Sequence, residues 1–147
     1  MTEIRASEIA EIRAPIERVF AYRLDFTNLP AYNPNVTNLR RVDAGSEPGP
    51  GAEYLFDLTL PGIEPMESPL RVIEADAPGR IVFETGPGYM AREVCVFTGK
   101  GEATHAEFTL TLTVPGEIDD ATAELFHANT REQAQMELDL IKKALEK

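Results

Sequence analysis

The chain has 147 residues, the size of one domain, and a domain of that length buries roughly two-thirds of its unfolded surface without disulfides or metals to staple it. Its formal net charge of −11, with no basic run, argues against nucleic acid or an anionic membrane surface as a partner. The single cysteine, Cys95, excludes an internal disulfide, and no segment has the apolar length of a membrane span, so no membrane insertion is expected.

Met1 to Ile12 carries Glu3, Arg5, Glu8 and Glu11 and lacks the continuous apolar core of a secretory signal, so a cytoplasmic location is expected. Ser7 to Arg13 reads as a first strand. Pro15 then stands where a helix takes its first residue, and Ile16, Val19, Phe20 and Arg23 share one face of that short helix. Phe26 to Tyr32 reads as a second short helix, closed by Asn33-Pro34.

From Val36 the pattern changes to period two. Val36 to Val42 is a modest strand, Gly45 to Gly51 a turn, and Ala52 to Leu60 the clearest strand. Pro61 to Pro69, with three prolines, reads as a loop carrying Met66. Leu70 to Ala75 and Arg80 to Thr85 are strands joined at Ala77-Pro78-Gly79, and Gly86-Pro87-Gly88 makes the next turn. Tyr89 to Thr98 and Ala103 to Val114 form a hairpin around Gly99-Lys100-Gly101. In the last strand Phe108, Leu110, Leu112 and Val114 face one way and Glu107, Thr109, Thr111 and Thr113 the other, which marks an antiparallel sheet with one dry face.

Glu117 to Lys147 reads as one long helix, with Glu117, Asp119 and Asp120 at its positive end and Lys142, Lys143 and Lys147 at its negative end. At about 100° per residue, Leu125, Asn129, Met136 and Leu140 fall on one side, with Gln133 inside the stripe. Amides in an otherwise apolar stripe suggest a helix that roofs a partly hydrated pocket. Leu138, Ile141 and Leu145 form a second stripe on the far side, packing on the short helices or serving a protein contact. At 1.5 Å per residue this helix reaches about 40 Å, enough to cross and cover the dry face of a curved sheet.

The order of elements and the wording of the first forty residues resemble the helix-grip (START-like, SRPBCC) superfamily. The match runs through Glu8-Ile9-Ala10-Glu11-Ile12, then Ala14-Pro15, then the helix core Glu17, Arg18, Val19 and Phe20. It continues through Asp25-Phe26-x-x-Leu29-Pro30 to Asn33 and Pro34. The wording is most similar to the bacterial polyketide cyclase/dehydrase-like group, most of whose members carry tryptophan at the place of Tyr32. The resemblance implies an α+β fold: a seven-stranded curved antiparallel sheet wrapped around a long C-terminal helix, with two short helices after strand 1. The motif is specific for fold and weak for function, because this scaffold hosts transport, sensing and catalysis.

The chemistry-bearing residues are sparse. His105 and His127 both take solvent-facing positions and give no metal set, and no cofactor is expected. There is no Gly-x-Ser-x-Gly elbow, and Ser7, Ser46 and Ser68 have no evident base. Cys95, between Val94 and the Val96-Phe97 pair, reads as a buried inert thiol. Tyr54 shares the parity of Phe56 and Leu58, so its hydroxyl points inward. Arg92 has two readings. If Val94 and Val96 point inward, so does Arg92, and it could anchor a ligand carboxylate or enolate. If Cys95 and Phe97 point inward, Arg92 is a surface group paired with a neighbouring strand's glutamate.

These readings give a small, largely apolar ligand, lipid- or polyketide-like, in a cavity between sheet and helix, in a monomer or homodimer. The expected contact residues are Phe26, Leu29, Tyr32, Tyr54, Phe56, Leu58, Phe83, Tyr89, Met90 and Arg92. From the last strand and helix come Phe108, Leu110, Leu125, Phe126, Asn129, Gln133 and Met136. A cyclase/dehydratase-type enzyme in the same cavity and a protein-interaction module are the two other readings.

Overall fold

The computed structural model describes residues 1–59, 62 and 64–146, so the expected strand end at Leu60, the loop positions Pro61 and Ile63, and the terminal cation Lys147 lie outside the described residues. The strands are β1 (Thr2–Ile12), β2 (Val36–Arg41), β3 (Glu53–Leu58), β4 (Met66–Asp76), β5 (Arg80–Thr85), β6 (Ala91–Lys100) and β7 (Ala103–Val114). The helices are α1 (Ile16–Leu24), α2 (Leu29–Tyr32), which follows a 3-10 turn at Phe26–Asn28, and α3 (Asp120–Leu145). All seven strands form one antiparallel sheet in the order β1-β7-β6-β5-β4-β3-β2. Register shifts between Thr37 and Arg40 and between Val72 and Glu74 bend it, as bulges do.

Several boundaries differ from the sequence reading, among them the starts of β1, β4, β6 and α3, the last at Asp120 rather than Glu117. β1 begins at Thr2 rather than Ser7, because its whole length pairs with β7, from Thr2 opposite Val114 to Ile12 opposite Thr104, and this buries Ile4 and Ala6. β4 begins at Met66, not Leu70, so Met66 is on a strand. Pro69 sits opposite Leu55 inside it, and its carbonyl accepts the Thr85 hydroxyl at 2.9 Å. Tyr89 is not in β6. Pro87–Tyr89 is a 3-10 turn in which Gly86 (φ 85°) supplies the left-handed step, and the strand starts at Ala91.

Pro15 caps the start of α1, its carbonyl accepting the amides of Arg18 and Val19, and the helix's inward face is Val19, Phe20 and Arg23. It stops at Asp25, whose carboxylate accepts the Thr27 amide at 3.1 Å and so starts the next turn. α3 is capped by Asp119, which accepts the Thr122 amide at 2.7 Å, and Lys142 and Lys143 fill its last turn.

α3 lies mainly along β1 and β7 and touches α2. Its buried stripe is Thr130, Ala134, Glu137, Leu138, Ile141 and Leu145, at the 4-3-4 spacing of a packed helix face. This corrects the expected phase: Leu125 is 59% exposed and Asn129 is exposed, while Leu138 and Ile141, expected on the far side, are fully buried in the chain's own core. They join Ile12, Val19, Phe20, Phe97 and Phe108 there, where the Phe97 ring stands edge-on to both Phe20 and Phe108 at 6.1 Å. No helix among the described residues is long and apolar enough to cross a membrane.

Candidate binding cavity

A cavity of about 330 Å³ lies between the sheet and helices α2 and α3. The rows of the sheet that face inward build its wall. Leu112, Ala91, Thr85 and Leu70 are successive cross-strand neighbours from β7 to β4, and Leu110, Glu93 and Phe83 form the row beside them. Phe56, Leu58 and Val36 continue the wall onto β3 and β2, and Leu29 closes it from α2. The lining is mostly apolar. Among the described residues its polar members are Asn33, Asn35, Ser68, Thr85, Glu93, Gln133 and Glu137, and its only charged members are the two glutamates.

The two glutamates belong to a buried ionic cluster. Arg23 is 0% exposed, Glu93 2% and Glu137 3%. Arg23 Nη2 donates to Glu93 Oε2 and, at 3.2 Å, to Glu137 Oε1. Glu137 Oε2 also accepts from Asn33 Nδ2 at 3.3 Å and from Gln133 Nε2 at 3.4 Å. The guanidinium is boxed by aromatic rings: its carbon lies 4.6 Å from the centre of Phe108, 4.9 Å from Phe83, 5.2 Å from Tyr32 and 5.8 Å from Phe26. Among the described residues its Nε and Nη1 have no hydrogen-bond partner.

One guanidinium therefore serves two carboxyls that have left water. Burial, followed by the neighbouring Glu137 carboxyl, pushes Glu93 up to about 8, against the pull of Arg23. Glu93 thus favours its protonated form at neutral pH. Burial likewise raises the Cys95 thiol well above its ordinary value, which fits an inert core sulfur. Among the described residues no three His, Cys, Asp or Glu side chains converge to hold a metal ion.

Six of the seventeen expected contact residues border this cavity: Leu29, Phe56, Leu58, Phe83, Leu110 and Gln133. Phe26, Tyr32, Tyr54 and Phe108 are buried and point inward but are not part of the wall; three of them form the box around Arg23, and Tyr54 packs its ring on Phe26 at 5.9 Å. Four others stand elsewhere on α3. Leu125 and Asn129 are exposed, and Phe126 and Met136 are half-buried away from the wall. Tyr89 lies under the Arg71 guanidinium at 3.9 Å, and Met90 follows it in the turn, so neither reaches the cavity.

The two readings of Arg92 resolve on the side of the surface pair. Cys95 and Phe97 point inward, Arg92 is exposed, and it lies 3.5 Å from Glu84 of the neighbouring strand. It gives no anchor for a ligand carboxylate. The same parity turns Glu93 inward, which the sequence reading missed although the alternation Glu93-Cys95-Phe97 carried the signal. Helical spacing puts Arg23 on the inward face of α1, but its partners could not be named from sequence. Glu137 was hidden by being a charged residue within a stripe that looked too polar to be buried.

Residues 1–146 match the family model described as polyketide cyclase / dehydrase and lipid transport. The chain belongs to this family. No curated protein matches it. Solved structures with a similar fold include Ara h 8.0201, at 12% identity and a TM-score of 0.76 over 98% of each chain. Another is StfQ, the di-domain ARO/CYC from the steffimycin biosynthetic pathway, at 13% identity and a TM-score of 0.80. That match covers 98% of this chain and 51% of StfQ. A third is TTHA0849 from Thermus thermophilus, at 22% identity and a TM-score of 0.71 over 98% of this chain and 97% of that one. At these identities the likeness establishes the fold. The polyketide cyclase / dehydrase and lipid transport family thus supplies the helix-grip architecture, and the cluster of Arg23, Glu93 and Glu137 is read from this chain's own residues.

Proposed function

We propose that this protein binds a small, largely apolar molecule in the cavity between the sheet and helices α2 and α3. The observation that carries this reading is the 330 Å³ space itself, left open in an otherwise packed core and walled by Leu29, Val36, Phe56, Leu58, Leu70, Leu110 and Leu112. That volume lies at the small end of the range for ligand pockets, about 300–1,000 Å³, which favours a compact ring system or a medium-length chain over a large lipid. Each 100 Å² of apolar ligand surface removed from water would contribute about 2.5 kcal/mol.

Native mass spectrometry of freshly purified protein is expected to show a co-purified small molecule. Emptied protein is expected to melt higher in the presence of an apolar ligand. At a hundredfold excess over Kd the stabilisation is about 2.7 kcal/mol, or roughly 5–10 °C for a chain of this size. Leu110→Trp should fill the space and remove the shift. An empty protein whose melting temperature does not move across a panel of apolar compounds would refute the reading.

One observation favours a second reading, an enzyme of the cyclase or dehydratase type acting in the same cavity. Two carboxyls that hold one proton between them border the space, and such a pair can give and take protons. Turnover of a polyketide-like substrate that survived Glu137→Gln and Glu93→Gln unchanged would sink it.

A further inference from the structure

The polar groups around the cavity restrict the chemistry of what can enter it, and this deepens the binding reading above, on which it rests. Two features stand out. The charged side chains of the wall are Glu93 and Glu137, with no Lys, Arg or His beside them among the described residues. The nearest cation, Arg23, is fully enclosed and is not part of the wall, and its Nη2 is shared by both glutamates. A ligand carboxylate or phosphate would therefore meet acidic groups with no free cation, in a site where unpaired charge is strongly disfavoured.

The second feature is a pair of unspent hydrogen-bonding groups. Ser68 is 1% exposed and borders the cavity, yet its hydroxyl has no partner among the described residues. Buried hydroxyls are nearly always satisfied, so this one is available to a ligand oxygen. Two strands away in the sheet order, on the same inward face, stands Glu93. The cluster has two carboxyls for one guanidinium, so it retains a proton. Glu137 accepts three N–H donors, whereas Glu93 accepts from Arg23 and only weakly from the Cys95 thiol, 3.6 Å away.

We propose that the cavity selects neutral ligands bearing a carbonyl oxygen and rejects anionic ones, with Glu93 donating a hydrogen bond to that oxygen and Ser68 offering a second polar contact elsewhere on the wall. Glu93 is a ligand-orienting residue in this scheme, and Arg23 and Glu137 position it. The titratable and charged groups that face Glu93 are Arg23 from α1, Glu137 from α3 and Cys95 on its own strand. Its cross-strand neighbours Phe83 and Leu110 are uncharged.

The test compares 2-decanone with nonanoate, which carry the same octyl chain, by isothermal titration calorimetry on the full chain. At neutral pH the ketone is expected to bind about ten- to a hundredfold more tightly, the range set by one satisfied against one unsatisfied buried polar group. The ketone's affinity should fall as pH rises through about 8 in the wild type, because Glu93 then loses the proton it donates. Glu93→Gln keeps an N–H donor at the same place. It should keep the preference for the ketone and lose the pH dependence. Glu93→Leu should lose the preference. If that variant fails to fold, the pH series on Glu93→Gln still decides the question.

Nonanoate binding as tightly as the ketone would overturn the proposal and leave the cavity reading standing. An equal loss of ketone affinity with pH in Glu93→Gln would overturn the role of Glu93. Absence of binding by both compounds would overturn the cavity reading and this inference with it.

Discussion

Replacing Arg23 by methionine tests the buried cluster most directly. The side chain is fully enclosed, and it is the one cation hydrogen-bonded to both Glu93 and Glu137 among the described residues. Methionine fills much of its volume but leaves two carboxyls without their counter-ion. Breaking a buried pair in this way costs about 3–5 kcal/mol, because an uncompensated charge remains inside. The four rings around the guanidinium also lose their cation, which adds to the loss. Native domains hold only about 5–15 kcal/mol in reserve, so Arg23→Met should come close to unfolding the protein at neutral pH.

Urea denaturation followed by circular dichroism measures this effect. Two controls separate charge from packing. The loss should shrink toward acid pH, where both carboxyls can be neutral. The triple variant Arg23→Met, Glu93→Leu, Glu137→Leu should regain most of the stability, since replacing a buried ionic cluster wholesale by apolar groups is often neutral or favourable. A loss below about 1 kcal/mol for Arg23→Met at neutral pH would refute the reasoning, because it would be the figure for a solvated surface pair.

Two further outcomes follow from the same structure. Leu138→Ala should destabilise the fold by about 2–5 kcal/mol in a thermal melt, as for other buried leucines, without altering self-association; a change in oligomeric state with stability unaltered would contradict its burial in the core. Because folding raises Glu93 from its ordinary 4.5 to about 8, the folded state is the one that holds the extra proton between those values. The contribution of Glu93 to stability is complete below about 4.5 and is lost as pH rises through about 8. The difference in unfolding free energy between wild type and Glu93→Gln should therefore drift by a few kcal/mol, in order of magnitude, across that window, with the wild type losing ground as pH rises. A difference that stays constant from acid to pH 9 would mean that folding leaves the titration of Glu93 where it is in the unfolded chain.

The sequence alone determined the architecture. Period-two alternation, Gly-Pro turns and the Pro15 helix start are local signals, and each depends on a few adjacent residues. They placed every strand, although β4 began earlier than its prolines suggested and β6 later, after the turn that carries Tyr89. Parity also turned Phe56, Leu58, Phe83 and Leu110 toward the space they border. The phase of α3 could not be read in the same way. Its buried face carries Thr130, Ala134 and Glu137, residues that look wet until their partners are known, while the exposed face carries Leu125. Glu137 is tolerable inside only because Arg23 reaches it from 114 positions away, and Asn33 from 104. Only tertiary structure could decide that pairing, since burial of a charge is a property of the counter-charge beside it, and nothing in a helix's own sequence states where that counter-charge will be.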